Sequence, residues 1–485
     1  MKTNLGRITS ALLAFLMLAS MASCGGDGGK PAAAENAAGE TTAAVTEPAE
    51  PEFIDGLGEY DFGGDDYNML IREWKIPDLF VEESIGEVYN DAVYDRNRKI
   101  EERFNIEFTM QTLPEEGATW NKALGASVMA NDGAYDVVMP DYWWGCETGG
   151  YFLNMLDYTD IMDFSQPWWT QGWNDNAEIF GQMYSAVGAL CTDLYSNTIA
   201  MFFSKSLVGQ LDMESPYTLV RDHKWTLEKM KEMSAQSSSD LNGDGVLNLE
   251  TDQYGIFFDL QSGRALLPSC GWETSTKQAD GSYAYEFYNE DFVELCNEIY
   301  DIVWNMESVS YNGANAYNAF KNDRLLFLAQ GVGAAAYLRD MESDFGIIPY
   351  PMRDEGQEDY VSYNFGTFYL AIPKSASDPR MSAVVLEALN AETYHTVKDA
   401  YFEINMKEKF SRDEDTREML DMIVGNVRFD FTFVNEAATD HIVMYFFDQI
   451  AAKNNNVASS YEKRAKSYQK KLEKLFETYA DAAED

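Results

Sequence analysis

The 485-residue chain has three histidines, at positions 223, 395 and 441, and five cysteines with no Cys-x-x-Cys spacing. Histidines this far apart offer no zinc-ligand spacing and no local catalytic dyad, and the chain has no G-x-S-x-G elbow, H-E-x-x-H pair or P-loop. Bases are scarce as well. Against 81 Asp and Glu stand 36 Lys and Arg, a formal net charge of -45. Such a polyanion repels phosphate backbones and carries no basic stripe, which excludes nucleic acid and close adhesion to an anionic bilayer face. The charge reads as a soluble, self-repelling surface. No apolar run reaches the ~20 residues that a spanning helix needs.

The apolar run nearest to that length, 8–18, follows Lys2 and Arg7 and leads into Met21-Ala22-Ser23-Cys24, with Gly25 and Gly26 behind. This arrangement resembles a bacterial lipoprotein signal. The resemblance implies loss of residues 1–23 and lipidation of Cys24, hence an extracytoplasmic protein anchored to the cell membrane. The plainer alternative is an ordinary secretory signal cleaved near Ala22 or Ser23. Residues 25–52 are mostly Gly, Ala, Glu, Thr and Pro, a composition that cannot bury enough surface to offset chain entropy. Residues 24–60 are therefore expected to be a lipidated Cys and a disordered tether, long enough to hold the folded part roughly 30 Å from the membrane.

Residues 61–485 exceed the ~250–300 residues that one core usually supports, so two lobes are expected. A hydrophobic content of 46% and an aromatic content of 14% supply a core and leave rings for the surface. The remaining cysteines, Cys146, Cys191, Cys270 and Cys296, read either as two disulfides or as four buried thiols. A core this large does not need staples.

Short apolar runs alternate with helical periods. Strands are expected at 67–71, 106–110, 136–140, 200–203, 255–258, 325–328, 346–350 and 368–372, and helices at 88–104, 120–130, 226–235 and 292–306. Strands separated by helices point to βαβ units and parallel sheets. From 380 onward the pattern is almost entirely helical. Its last segment, 459–480, carries Tyr461, Ala465, Tyr468, Leu472, Leu475, Phe476 and Tyr479 at three- and four-residue steps, one docked face.

The succession YDVVMPD (135–141), PWW (167–169), GQMYSAVG (181–188), AMFFSKSL (200–207), KWTLEKM (224–230), DLNGDG with DQYGI (240–256), GIIPYP (346–351) and FYLAIPKSASDP (368–379) resembles the extracellular solute-binding proteins of ABC importers, in the sugar and oligosaccharide branch known as family 1. No single motif is specific; their order is the signal. The resemblance implies an α/β, type II periplasmic-binding-protein-like fold of two lobes, each a mainly parallel sheet flanked by helices. A hinge joins them and a ligand is enclosed between. By that analogy the N-terminal lobe is 61–196 plus 365–410, and the C-terminal lobe 197–364 plus 411–485. A monomer delivering its solute to permease subunits follows, touching the membrane only through the lipid.

A sugar presents apolar C–H faces and a ring of hydroxyls, so its site stacks aromatic rings on the faces and sets carboxylates, amides and Arg on the hydroxyls. Ligands of open parallel sheets sit beyond the carboxyl ends of strands. There the sequence places Trp74, Asp141, Trp143 and Trp144, with Asp193 and Tyr195 before the crossing strand and Trp272, Tyr337 and Arg339 from the second lobe. Of adjacent Trp143 and Trp144, one pointing to the cleft leaves the other to the core. Trp168, Trp169 and Trp173 read as loop staples.

Asp240, Asn242 and Asp244 with Gly245 satisfy D-x-N-x-D-G, the first half of a calcium loop. Position twelve would be Thr251 and not Glu, so Glu250 or Asp252 would have to close a structural Ca2+ site, with the Val246 carbonyl as a further ligand. The plain alternative is a solvated turn. Gly331-Val-Gly333 formally looks like a dinucleotide fingerprint, but an exported protein has no ready nicotinamide pool and no acidic second strand follows. Those small residues are expected to permit close approach of backbone. No catalysis is expected. The rival reading is a secreted glycoside hydrolase or other surface carbohydrate-active lipoprotein, whose two carboxylates need no local motif.

Overall fold

The structure, a computed structural model, describes residues 55–113, 117–406 and 414–484. The expected signal, Cys24 and most of the tether lie outside the described residues. Among the described residues no helix is long and apolar enough to cross a membrane.

Among the described residues ten strands carry the fold: β1 Asp65–Ile71, β2 Ile106–Thr112, β3 Val137–Val138, β4 Ile199–Ser204, β5 Tyr254–Phe258, β6 Ser275–Lys277, β7 Tyr283–Tyr285, β8 Val309–Tyr311, β9 Leu325–Gly331 and β10 Phe345–Ile348. The first sheet has the order β2-β1-β3, all parallel. Helix Val88–Phe104 makes the crossover from β1 to β2, and Asn105, at φ 53, takes the left-handed cap that ends it. Met69, Leu70 and Ile71 are all sealed from water, as expected where helices cover both faces of a parallel sheet. The segment 368–372, expected as a strand, is held by isolated antiparallel bridges, Val138 to Ala371 at the sheet and Asp141 to Phe368 and Ala186 to Leu370 beside it.

The second sheet has the order β10-β4-β9-β5-β8. Four of its five strands run in one direction, as the mainly parallel expectation has it, and β4 alone is reversed: β4 runs antiparallel to both β9 and β10, while β5 is parallel to β8 and β9. The reversal arises because β4 enters from the other sheet through a crossing segment.

That crossing is double. Residues 193–198 and 363–367 run side by side, with Ile199 N–H donating to the Tyr363 carbonyl at 2.8 Å and Phe365 N–H to the Asn197 carbonyl at 3.2 Å. Asn364, 1% exposed, donates to the carbonyls of Asp193 and Leu194 and to Thr198 Oγ1. A Cβ on Gly331 would lie 2.7 Å from the Ser196 carbonyl, so the glycines at 331 and 333 serve close backbone approach to this crossing.

Two expected boundaries shift. Residues 55–60 are folded and not tether, since Asp55 pairs with Arg103 and Tyr60 packs on Phe62 and Phe104. The C-terminal part does not belong wholly to the second sheet's lobe. Helix Val457–Glu484 puts Phe476 on Phe180 and Tyr479 on Tyr184, while Tyr468 packs on Tyr285. Cys146, Cys191, Cys270 and Cys296 are free and buried, which decides between the two readings of the cysteines. Burial pushes the Cys191 and Cys270 thiols up to about 12.

Candidate functional site

The first sheet delivers two loops at the carboxyl ends of its strands. After β1, Arg72 caps a single turn Glu73–Lys75; after β3, Asp141 caps the turn Tyr142–Trp144, which Gly145 ends at φ 68. Arg72 Nη1 lies 3.2 Å from Asp141 Oδ2, with their side chains 16% and 13% exposed. The guanidinium sits 5.2 Å from the Trp74 ring and 5.2 Å from the Trp144 ring. Burial pushes the Asp141 carboxyl up to about 6, although Arg72 pulls it down.

Two rings beside this pair stand in solvent. Trp74 is 57% exposed and leans edge-on against Phe368; Trp143 is 53% exposed and stacks on Tyr142. Tyr142 in turn stacks on Phe433 at 4.5 Å, both contacts being within 7° of parallel. The Tyr142 hydroxyl donates to the Phe365 carbonyl, so the platform is held from the crossing segment. Burial drives the Tyr142 phenol far above its ordinary value; Glu436 and Tyr363 add to this and Arg264 opposes it, so residues of the second sheet's connections face this turn.

Those connections form the opposite wall. β5 ends in Asp259, which caps the short helix Leu260–Arg264 in a reciprocal box with Ser262. Gln330, near the end of β9, donates to Asp259 Oδ2 at 2.6 Å. Arg264 makes a two-pronged pair with Asp448, both contacts at 2.8 Å. His441 Nδ1 lies 2.8 Å from the buried Glu436, which raises the imidazole pKa. Tyr337, 70% exposed, meets Tyr317 edge-on. Arg339 is exposed at the end of the same turn.

The structure thus brings Trp74, Asp141 and Trp143 together, with Tyr337 and Arg339 on the second sheet's loops. It sends four expected residues elsewhere. Trp144 packs on buried Trp120, leaving its neighbour Trp143 in solvent. Asp193 is 6% exposed and pairs with Lys75 at 2.8 Å. Tyr195 is in the core against Tyr401 and Phe402, and Trp272 is in the core stacked on Phe292. An aromatic residue near a strand end serves core or cleft equally well by type, and only the backbone's turn decides. Sequence reasoning missed Arg264, Phe433, Glu436 and Asp448, which reach the site from distant helices with no local signature.

At 240–252 the donors are present but only partly turned inward. Asp240 accepts from Gly243 and Gly245 N–H, and Asp244 from Val246 N–H. Of the residues expected to close the loop, Asp252 turns its carboxylate onto the loop backbone, taking the N–H groups of Leu241, Asn242 and Asn248, while Glu250 accepts from Asn315. Among the described residues no three Asp, Glu, His or Cys side chains gather in metal-holding geometry.

No protein-family model and no curated protein matches the chain. Solved structures do. A cyclic α-maltosyl-1,6-maltose binding protein from Arthrobacter globiformis superposes with a TM-score of 0.55 at 13% identity, covering 87% of this chain and 99% of that one. A sugar transporter protein from Rhizobium etli in an open conformation gives 0.55 at 13%, covering 85% and 98%. UgpB from Mycobacterium tuberculosis, in complex with glycerophosphocholine, gives 0.54 at 15%, covering 85% and 99%. The chain accordingly has the type II, two-lobed α/β fold of the solute-binding proteins of ABC transporters.

Proposed function

We propose that the protein is an extracytoplasmic receptor, lipid-anchored through Cys24, that captures a carbohydrate between its lobes and presents the closed form to an ABC permease. It performs no reaction on the ligand. The observation that carries this reading is the pair of exposed indoles, Trp74 and Trp143, flanking the Arg72 and Asp141 ion pair beyond the strand ends. Rings in that place stack on sugar faces while the fixed polar groups take hydroxyls. The sugar-binding names of two of the neighbours point the same way, and the paired crossing segments supply a hinge. The test is a thermal-shift screen of mono- and oligosaccharides: a bound sugar raises Tm with the logarithm of its concentration above Kd. A screen in which only peptides shift Tm would assign another solute class, and shortened oligosaccharide products would make the protein a hydrolase.

The reading includes a calcium ion in the 240–252 loop, held by Asp240, Asn242, Asp244 and the Val246 carbonyl. A carboxylate oxygen that accepts one N–H keeps a lone pair for a cation. Since Asp252 is engaged by the loop's backbone N–H groups and Glu250 by Asn315, water or a reoriented Glu250 completes the shell. The ion's part is structural, pinning the loop between helix Leu227–Ser237 and β5.

A further inference from the structure

The geometry points to an uncharged solute: a neutral oligosaccharide, and not a uronate, sulfated or phosphorylated sugar. This inference rests on the receptor reading above and narrows it.

An anionic ligand needs a cation that is available to it, and the cleft's main cations are committed. Arg72 is paired with Asp141 at 3.2 Å and wedged between the Trp74 and Trp144 rings. Arg264 spends both prongs on Asp448. Lys75, 1% exposed, is shared between Asp78 at 2.6 Å and Asp193 at 2.8 Å. An incoming carboxylate or phosphate would have to displace a protein carboxylate from one of these pairs and strand it in a poorly hydrated place. The other polar groups are acceptors or already bridged: Asp259 holds Gln330 and Ser262, and Glu436 holds His441. Carboxylates with remaining lone pairs suit hydroxyl donors and repel anions. The net charge of -45 adds a long-range field of the same sign.

The recognition surface that remains is aromatic. The Trp143, Tyr142 and Phe433 stack presents one flat face and Trp74 another, so more than one sugar ring is accommodated. Arg339, exposed near Tyr337, is one cation that would serve an anionic ligand if the inference were wrong.

The experiment is titration calorimetry on the chain lacking residues 1–23, with neutral trisaccharides (maltotriose, cellotriose, xylotriose, mannotriose), with oligogalacturonate and alginate trimers, and with glycerophosphocholine. At least one neutral trisaccharide is expected to bind, with a Kd that changes less than about twofold between roughly 50 and 500 mM salt. The charged probes are expected to bind at least about 100-fold more weakly. Preferential binding of a uronate or phosphodiester, weakened steeply by salt and by Arg339→Gln, would overturn the neutral-ligand inference and leave the receptor reading standing. Binding of none of these probes, with no Tm shift from any sugar in the wider screen, would overturn the receptor reading itself.

Discussion

Lys75 Nζ lies 2.8 Å from Asp193 Oδ2, joining the turn that carries Trp74 to the segment that crosses between the two sheets, with both side chains nearly sealed from water. Asp78 and Thr192 Oγ1 complete the ammonium's shell, at 2.6 and 2.9 Å. Burial alone would lower the Lys75 pKa, yet the two carboxylates outweigh it and leave it raised. Burial also raises the Asp193 carboxyl, against the pull of Lys75, and the contact fixes the base of the Trp74 platform to the hinge.

Lys75→Met is expected to cost about 3 to 5 kcal/mol, because Asp193 is left buried without its counter-charge. Lys75→Met combined with Asp193→Leu should recover part of the loss, since the stranded carboxylate goes with its partner. Urea unfolding of the two single variants and the double variant gives the coupling. Additive losses would mean that the two residues do not act as a pair.

A second prediction concerns pH. Glu387 is 0% exposed and accepts the indole N–H groups of Trp168, at 3.0 Å, and Trp169, at 2.8 Å. Burial pushes its carboxyl up to about 7 from an ordinary 4.5, although the two indoles pull it down. The folded state holds this proton more tightly than the unfolded chain, so the contribution is fully present below about pH 4.5 and is lost as pH rises to about 7. The size is on the order of 3 kcal/mol. Glu387→Gln cannot titrate and should flatten that slope in unfolding curves taken from pH 5 to 8. An unchanged slope would move its origin to other carboxylates.

Ligand binding should carry its own pH dependence through Asp141, whose carboxyl sits at about 6. As pH falls through 6 the group takes a proton, weakening its hold on Arg72 and its acceptance of ligand hydroxyls. Affinity for the bound sugar is expected to fall by about tenfold between pH 7 and 5, provided one charge-assisted contact is lost. Asp141→Asn should bind weakly at both values. A pH-independent Kd in the native protein would remove Asp141 from the site.

The strands of the two large sheets were legible because they are short apolar runs between helical periods, except β8, three half-buried residues at a sheet edge, which was not. Helix Val88–Phe104 and the face of Val457–Glu484 were legible for the complementary reason, an amphipathic period ended by a cap or sustained over many turns. The hairpin of β6 and β7 was not legible, since Ser275-Thr-Lys277 has no apolar alternation and is defined by its partner at 283–285. The site was legible by half. Trp74, Asp141 and Trp143 follow strand ends directly, so chain order places them. Phe433, under the Tyr142 ring, and the opposing Arg264, Glu436 and Asp448 come from segments spread over 184 residues and are brought together only by packing. Asp193 and Trp272 failed for the converse reason: residue type suggested a ligand contact, and burial gave each a structural partner.

Chelator should separate the two readings of the 240–252 loop. With an ion held by Asp240, Asn242 and Asp244, EDTA is expected to lower Tm by a few degrees, and calcium in excess should restore it. Asp240→Ala should abolish the calcium response. Its cost in the absence of calcium should be small, although Gly243 and Gly245 lose the acceptor of their N–H groups. Insensitivity of Tm to chelator and to added calcium would make the loop a turn that satisfies itself.

Trp143 and Trp272, both expected in the cleft from the sequence, should behave oppositely. Trp143 is 53% exposed and rests on one face of Tyr142, so Trp143→Ala removes a platform and leaves the core intact. Loss of a stacking ring should weaken sugar binding about tenfold, roughly 1.4 kcal/mol, with a change in folding stability under about 1 kcal/mol. Trp272 is 9% exposed among Phe287, Phe292 and Phe446. Trp272→Ala opens a cavity there and should cost about 3 to 5 kcal/mol of stability. Its folded fraction should still bind sugar with the native Kd, because the indole packs on Phe287, Phe292 and Phe446 and not beside Trp74 or Trp143. Calorimetry and urea unfolding on both variants make the comparison. If Trp272→Ala loses affinity at full folding while Trp143→Ala does not, the sugar site lies instead at the pocket of about 400 Å3 that Trp272 borders.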